Sequence, residues 1–314
     1  MSAPSFLESE LAPRDAANCR FHVIPVPYEA TVSYGGGTAG GPAAILEASQ
    51  QLEVWTGRSI PSEQGIHTWP AVECSGGAET VLERIEAAVE KALAAGPRGA
   101  LPERPIEAGG CLPAPAVPVI LGGEHTVTLG VLRALKKRYG HFGVVQFDAH
   151  ADLRDTYEGT PYSHACVMRR AVDDLGLPLF QIGVRSLCPE EAAFRKERGI
   201  PHLDARAARF PLSHTEGDQA PALLPADFPG KIFLTFDLDA FDASLMPATG
   251  TPEPGGLFWW DALELAGRCL AGRVALGFDV VELAPIPGVH APEYTAARLA
   301  HEIMGIVGEG AVKG

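Results

Sequence analysis

The sequence predicts a three-layer αβα protein built on a mostly parallel central sheet of seven or eight strands. Three observations predict it. Short apolar runs rich in Val, Ile and Phe recur along the chain, such as Phe142-Gly-Val-Val-Gln-Phe147 and Ile232-Phe-Leu-Thr-Phe236. Their continuity, rather than strict alternation, marks strands buried on both faces. Stretches with helical apolar spacing lie between them, and strand–helix alternation favours parallel sheets covered by helices. Acidic and imidazole side chains then follow several of these runs directly, where open α/β sheets bind ligands.

In chain order, residues 21–27 read as the first strand, and a helix starts at Gly40-Gly-Pro42, with the proline in its first turn. Residues 79–95 carry apolar side chains at helical spacing. Residues 117–121 form a strand ending in Gly122-Gly123, and 126–139 a helix. The strand 142–147 follows, then a strand at 179–184, a helix at 190–198 and a strand at 231–236. A helix at 261–271, a strand at 274–278 and a helix at 293–307 complete the reading. Residues 1–20 form an N-terminal segment and 21–314 a single domain. A Pro/Gly-rich stretch at 96–118 reads as a surface insertion, and 211–230 resembles it. The glycines of Tyr34-Gly-Gly-Gly-Thr-Ala-Gly-Gly-Pro42 match no phosphate-binding pattern and are expected to form a structural loop.

A formal charge of −14 and the lack of a basic patch argue against a nucleic-acid partner and suit a small cationic one. The six cysteines contain no C-x-x-C pair, which argues against a zinc ribbon or disulfide scaffold. No apolar run reaches the roughly 18 residues a membrane span needs, and the N-terminus lacks a signal-peptide pattern. A cytoplasmic location is the expectation.

Asp148-Ala-His-Ala-Asp152 and Asp237-Leu-Asp239 place four carboxylates and an imidazole at the ends of two such strands. Unneutralised, those carboxylates would repel one another. Two divalent cations remove the repulsion. His125 follows another strand. Alternate residues of an extended segment point the same way, so Asp148 with His150, and Asp237 with Asp239, can converge on one pocket. Hard oxygens with two imidazoles suit Mn²⁺, with Ni²⁺, Co²⁺, Fe²⁺ or Zn²⁺ as chemical alternatives.

These motifs, in this order, resemble the ureohydrolase family of arginases, agmatinases and related guanidino hydrolases: Gly-Gly-Glu-His125, Asp148-Ala-His-Ala-Asp152, Ser163-His164, Asp237-Leu-Asp-Ala-Phe-Asp242 and Phe278-Asp-Val-Val-Glu282. Residues 162–170, 181–185 and 249–256 are most similar to the agmatinase branch. The resemblance implies an arginase-like fold and two Mn²⁺ ions. One would be held by His125, Asp148, Asp152 and Asp237, the other by Asp148, His150, Asp237 and Asp239. It also implies that Asp152 moves a proton to the leaving amine, that Glu282 pairs with the guanidinium, and that His164 orients the substrate or shuttles protons. The implied reaction is agmatine to putrescine and urea, within polyamine biosynthesis. The alternatives are another guanidino substrate, such as aminopropylagmatine or guanidinobutyrate, or a non-catalytic homologous subunit. Trimers or hexamers are implied by resemblance alone.

Arg154 stands where arginases usually carry an asparagine for the substrate α-carboxylate, which disfavours arginine. Ala165-Cys166 and Ala243 depart from common glycine and proline positions without touching the implied site. Glu158 and Glu253 are candidates for the substrate's distal amine. A metallophosphoesterase would need an Asn-His-Asp segment that this chain lacks, and a one-zinc deacetylase would leave two of the six ligands idle.

Overall fold

The computed structural model describes residues 3–97, 99, 101, 111–208 and 223–308. Its strands are β1 (Phe21–Val26), β2 (Ile66–Thr68), β3 (Leu112–Pro113), β4 (Val117–Gly122), β5 (Gly143–Phe147), β6 (Leu179–Ile182), β7 (His202–Leu203), β8 (Lys231–Asp237) and β9 (Val274–Val281). Its α-helices are α1 (Gly41–Ser49), α2 (Ala78–Ala95), α3 (Val127–Tyr139), α4 (Val167–Asp173), α5 (Pro189–Glu197), α6 (Ala205–Ala208), α7 (Trp259–Leu270) and α8 (Ala291–Gly308). One sheet runs in the order β2-β1-β4-β9-β8-β5-β6-β7, with the short β3 added on β9. Every pairing is parallel. Helices α2, α3 and α4 pack together in one layer, while α1 and α7 pack on α8 in the other. The expected three-layer α/β architecture is the one observed.

The central strands owe their depth to composition. β4, β5 and β9 are buried at every position, as continuous apolar runs require when helices cover both faces. Phe147 and Phe236, opposed in the β5–β8 register, stack at 4.9 Å between ring centroids. Burying a side chain of that size contributes roughly 1.5–3 kcal/mol. Gly123, just past β4, is required by packing: a Cβ there would lie 2.0 Å from the Tyr28 carbonyl oxygen. The glycine-rich segment before α1 is likewise a packing device. A side chain at Gly41 would meet the Leu283 carbonyl at 2.6 Å.

One sequence expectation shifts. Much of the stretch read as a surface insertion (98, 100 and 102–110) lies outside the described residues, as do 211–222 of the similar stretch. Residues 112–113, however, pair with β9, 117–118 belong to β4, and Ala114 is fully buried. Prolines are tolerated there because β3 is a two-residue strand and Ala114 donates its own N–H to the Ala275 carbonyl at 2.9 Å. In the N-terminal segment, Phe6 and Leu7 are buried in the common core. The Leu7 N–H donates to Ser49 Oγ at 3.0 Å, which anchors the segment to α1.

His22 on β1 is fully buried beside this core. Its Nε2 faces the Cys19 carbonyl at 3.0 Å, and Trp69 Nε1 donates to its Nδ1 at 3.1 Å. Those partners suit the neutral ring, and burial lowers the His22 pKa from 6.5 to about 4. Because the folded value lies below the unfolded one, stability is complete above 6.5 and falls as pH drops toward 4. Replacing His22 with Gln keeps a donor and an acceptor but no proton site. Urea unfolding of His22→Gln between pH 6.5 and 4 should lose less stability than wild type, by about 1.4 kcal/mol per pH unit. Identical slopes would show that His22 does not titrate on unfolding.

Candidate metal centre

Four adjacent central strands, β4, β9, β8 and β5, deliver the candidate residues from their C-terminal ends. This is where the strand order reverses, the usual ligand position in open α/β sheets. Register sets the levels. Phe147 lies opposite Phe236, so Asp148 and Asp237 emerge side by side. Asp237 lies opposite Val281, so Glu282 emerges one step further on. The Glu282 N–H donates to the Gly123 carbonyl at 2.8 Å, tying the end of β9 to the turn that carries His125.

His125 and the carboxylates crowd closely. His125 Nδ1 lies 3.0 Å from Asp152 Oδ2, 3.2 Å from Asp148 Oδ2 and 3.5 Å from Asp237 Oδ2. His150 Nδ1 lies 2.9 Å from Asp239 Oδ2 and 3.6 Å from Asp148 Oδ1. Two sets of ligand atoms result, His125/Asp148/Asp152 and Asp148/His150/Asp239, each within 4.8 Å, with Asp148 in both. Asp237 borders the first through His125 but belongs to neither.

Local hydrogen bonds hold the carboxylates in place. Asp148 accepts from Gln146 Nε2 at 2.7 Å and from the His150 N–H at 2.6 Å. Asp239 accepts the Ala149 N–H at 2.9 Å, and Asp237 the Asp239 N–H at 2.9 Å. Glu282 accepts the His125 N–H at 2.6 Å. The Asp152 carbonyl accepts two N–H groups, from Met168 and Arg169, at the start of α4. Asp152 and Glu282 both hold left-handed backbone conformations, φ 53° and 67°. Such strain in non-glycine residues concentrates at functional sites.

Electrostatics show the cost of this crowding. Burial and the Asp148 charge push Asp152 up to about 7. Burial, with Asp239 and Asp148, holds Asp237 well above the usual carboxylate range. Glu282 is raised by burial despite the His125 N–H. Burial also raises Asp148, but His125 and His150 outweigh it and hold the group below its ordinary value. Both imidazoles go the other way. Burial opposes their protonation, yet the facing carboxylates raise His125, and raise His150 to about 12. Protons thus supply the positive charge the cluster demands. Divalent cations answer the same demand, and the donor set fits them: carboxylate oxygens, two imidazoles, and a buried His125 Nδ1 with no hydrogen-bond partner.

Several supporting residues have roles that the sequence alone does not reveal. His125 Nε2 meets Thr235 Oγ1 at 2.8 Å, and Thr235 is bonded in turn to the buried Asp279. Asp279 also accepts from Thr128 Oγ1 at 2.7 Å and from the Phe236 N–H at 3.1 Å. This outer chain orients the imidazole toward the carboxylates, as outer-shell partners of metal-ligating histidines do. Arg185 donates from Nη2 to the carbonyls of Asp239, Phe241 and Glu253 at 2.7, 3.1 and 2.8 Å, clamping two loops together. The motifs around Thr235, Asp279 and Arg185 are visible in sequence. Their strand pairings are not.

A narrow cleft lined by Tyr34, Asp152, His164, Thr251 and Glu282 leads down to Asp237 and Asp239. It opens beside an outer cavity of about 330 Å³ that Arg154, Tyr157, Cys188 and Glu191 help line. A larger cavity of about 510 Å³ between α2 and α3 holds no comparable cluster among the described residues, so side-chain chemistry rather than volume selects the site. His164 sits in a 3₁₀ turn whose Ser163 caps the Ala165 N–H, and burial lowers its pKa. Glu158 and Glu253 line neither the cleft nor the outer cavity, so the structure gives no support to their proposed contact with a distal amine.

A parallel α/β sheet with carboxylate–imidazole groups converging at its switch point is suited to bind metal ions. Residues 19–305 match the arginase family, and the chain belongs to it. It is similar to the N(1)-aminopropylagmatine ureohydrolase of Synechocystis sp., with 39% identity over 97% of this chain and 94% of the relative. It is also similar to the agmatinase of Pyrococcus horikoshii, with 30% identity over 95% and 96%. The agmatine ureohydrolase structure of Thermoplasma volcanium superposes with a TM-score of 0.77 at 27% identity, covering 97% of this chain and 98% of that one.

Asp148→Asn removes the charge common to both ligand groups. Elemental analysis after manganese loading and desalting should find at least one cation per chain fewer than in wild type. Equal content would contradict the shared role of Asp148.

Proposed function

We propose that this chain hydrolyses a cationic guanidino compound lacking an α-carboxylate, agmatine or its N1-aminopropyl derivative, to urea and an amine. The observation that carries this is the convergence of His125, Asp148, His150, Asp152, Asp237 and Asp239 below a cleft lined by His164 and Glu282. The six converging side chains would hold two Mn²⁺ ions. Bound there, the cations would supply Lewis acidity, which brings the pKa of water to about 7.

The remaining roles fall to the chain itself. Glu282 has Oε1 held by the His125 N–H, which leaves Oε2 to accept from the planar guanidinium. Asp152 takes the proton of the attacking water and delivers it to the substituted nitrogen as the carbon–nitrogen bond breaks. Water oxygen thus ends in urea, and the nitrogen leaves as the amine. His164 orients the guanidinium at the cleft wall. The outer cavity takes the alkyl amine tail. The greater similarity to N(1)-aminopropylagmatine ureohydrolases than to agmatinases favours the longer tail.

The product amine places the reaction in polyamine synthesis. We further propose a single domain from residue 21 onward, a homo-oligomer, and a cytoplasmic location. No helix among the described residues is long and apolar enough to cross a membrane.

The test is urea release by manganese-loaded protein offered agmatine, N1-aminopropylagmatine, guanidinobutyrate and arginine. Agmatine or its aminopropyl derivative should react with a kcat/KM at least about 100-fold above that for arginine, a gap of roughly 2.7 kcal/mol. Equal or faster hydrolysis of arginine would overturn the substrate assignment, and no urea from any of them would overturn the reaction.

A further inference from the structure

We propose that Thr31 and Glu124 fix the tautomer of His164, presenting its Nε2 to the substrate cleft as a hydrogen-bond acceptor. This inference deepens the ureohydrolase reading and rests on it for the substrate.

Hydrogen-bond accounting leads to this assignment. Glu124 is fully buried, one residue before His125, and its carboxylate receives four donors. Oε2 accepts the N–H groups of Ala30 and Thr31 at 2.6 and 2.7 Å. Oε1 accepts the hydroxyls of Thr31 and Thr126 at 2.8 and 2.6 Å. A threonine hydroxyl has one proton, and Thr31 directs its proton at Glu124. What Thr31 Oγ1 offers His164 is therefore a lone pair. Two groups of His164 meet that oxygen: the backbone N–H at 3.2 Å and ring Nδ1 at 3.1 Å. Nδ1 must be the donor in that contact. Ser163 Oγ, the other partner of Nδ1 among the described residues, lies farther off at 3.4 Å.

A neutral imidazole protonated at Nδ1 carries a bare Nε2. Burial favours the neutral ring. His164 lines the cleft beside Glu282 and Asp152. A guanidinium has only N–H donors. Bare Nε2 can accept one of them while Glu282 accepts another. The other tautomer would set an N–H against an N–H. Thr31 and Glu124 touch neither substrate nor cations in this scheme. They are positioning residues, and they act across 133 and 40 positions of sequence, the separations of Thr31 and Glu124 from His164.

The tautomer can be read without turnover. Protein labelled with ¹⁵N-histidine and loaded with Zn²⁺, which is diamagnetic, should show a protonated Nδ1 and an unprotonated Nε2 for His164. A His164→Asn spectrum assigns the signals. Thr31→Val keeps the shape and removes the hydroxyl. It should mix the two tautomers, raise KM for the guanidino substrate about tenfold and change kcat less. Thr31→Ser should restore both readouts. An Nε2-protonated His164 in the wild type would overturn the proposal, and so would a Thr31→Val protein with unchanged spectrum and unchanged KM. The wild-type spectrum needs no substrate, so it decides the tautomer even if no guanidino compound is hydrolysed.

Discussion

Buried negative charge, gathered where four parallel strands end, is the constraint on which the rest of this structure depends. Asp148, Asp152, Asp237, Asp239 and Glu282 are all nearly inaccessible to water. Carboxylates in such surroundings cannot all ionise without compensation. The facing imidazoles of His125 and His150 provide part of it, and the elevated Asp152, Asp237 and Glu282 show that the part is insufficient. A folded chain that maintains this arrangement is organised to receive positive charge.

The strain of assembling the cluster is distributed through ordinary secondary structure. Parallel register brings Asp148 level with Asp237 and sets Glu282 one step above, so three carboxylates are placed by backbone pairing alone. Helix α4 holds the left-handed Asp152 turn through its first N–H groups. Beneath His125, Thr235 and Asp279 align the ring from inside the sheet. Arg185 then fastens the 239–241 and 253–254 loops over the far side. Apart from the Arg185 clamp on the loops, each support is a hydrogen bond to a group set on or directly beside a strand or helix. The ligand atoms therefore inherit the rigidity of the sheet.

The same reasoning explains what could be read from sequence. β4, β5, β8 and β9 are legible because a strand covered on both faces must be apolar throughout, and the polar residues that follow are conspicuous by contrast. β2 and β7 are not legible because they are short and include His67 and His202. β3 is hidden by Pro113 and by its length of two residues. Helix α7 begins at Trp259 rather than Asp261 because the Asp261 carboxylate reaches back to the Phe258 N–H, which makes it a third-position cap residue. The six ligand candidates were legible as a pattern. Their supports were not: Thr31, Glu124, Thr235 and Asp279 act through partners set by tertiary register, and nothing in a single chain reveals which threonine will lie under which histidine.

The central claim is that the buried charge cluster holds two cations. Anomalous diffraction at the manganese edge from crystals of the manganese-loaded protein tests it most directly. The account predicts two peaks per chain, one among His125, Asp148 and Asp152, the other among Asp148, His150 and Asp239. A single peak, or none near these residues in protein that still releases urea, would contradict it.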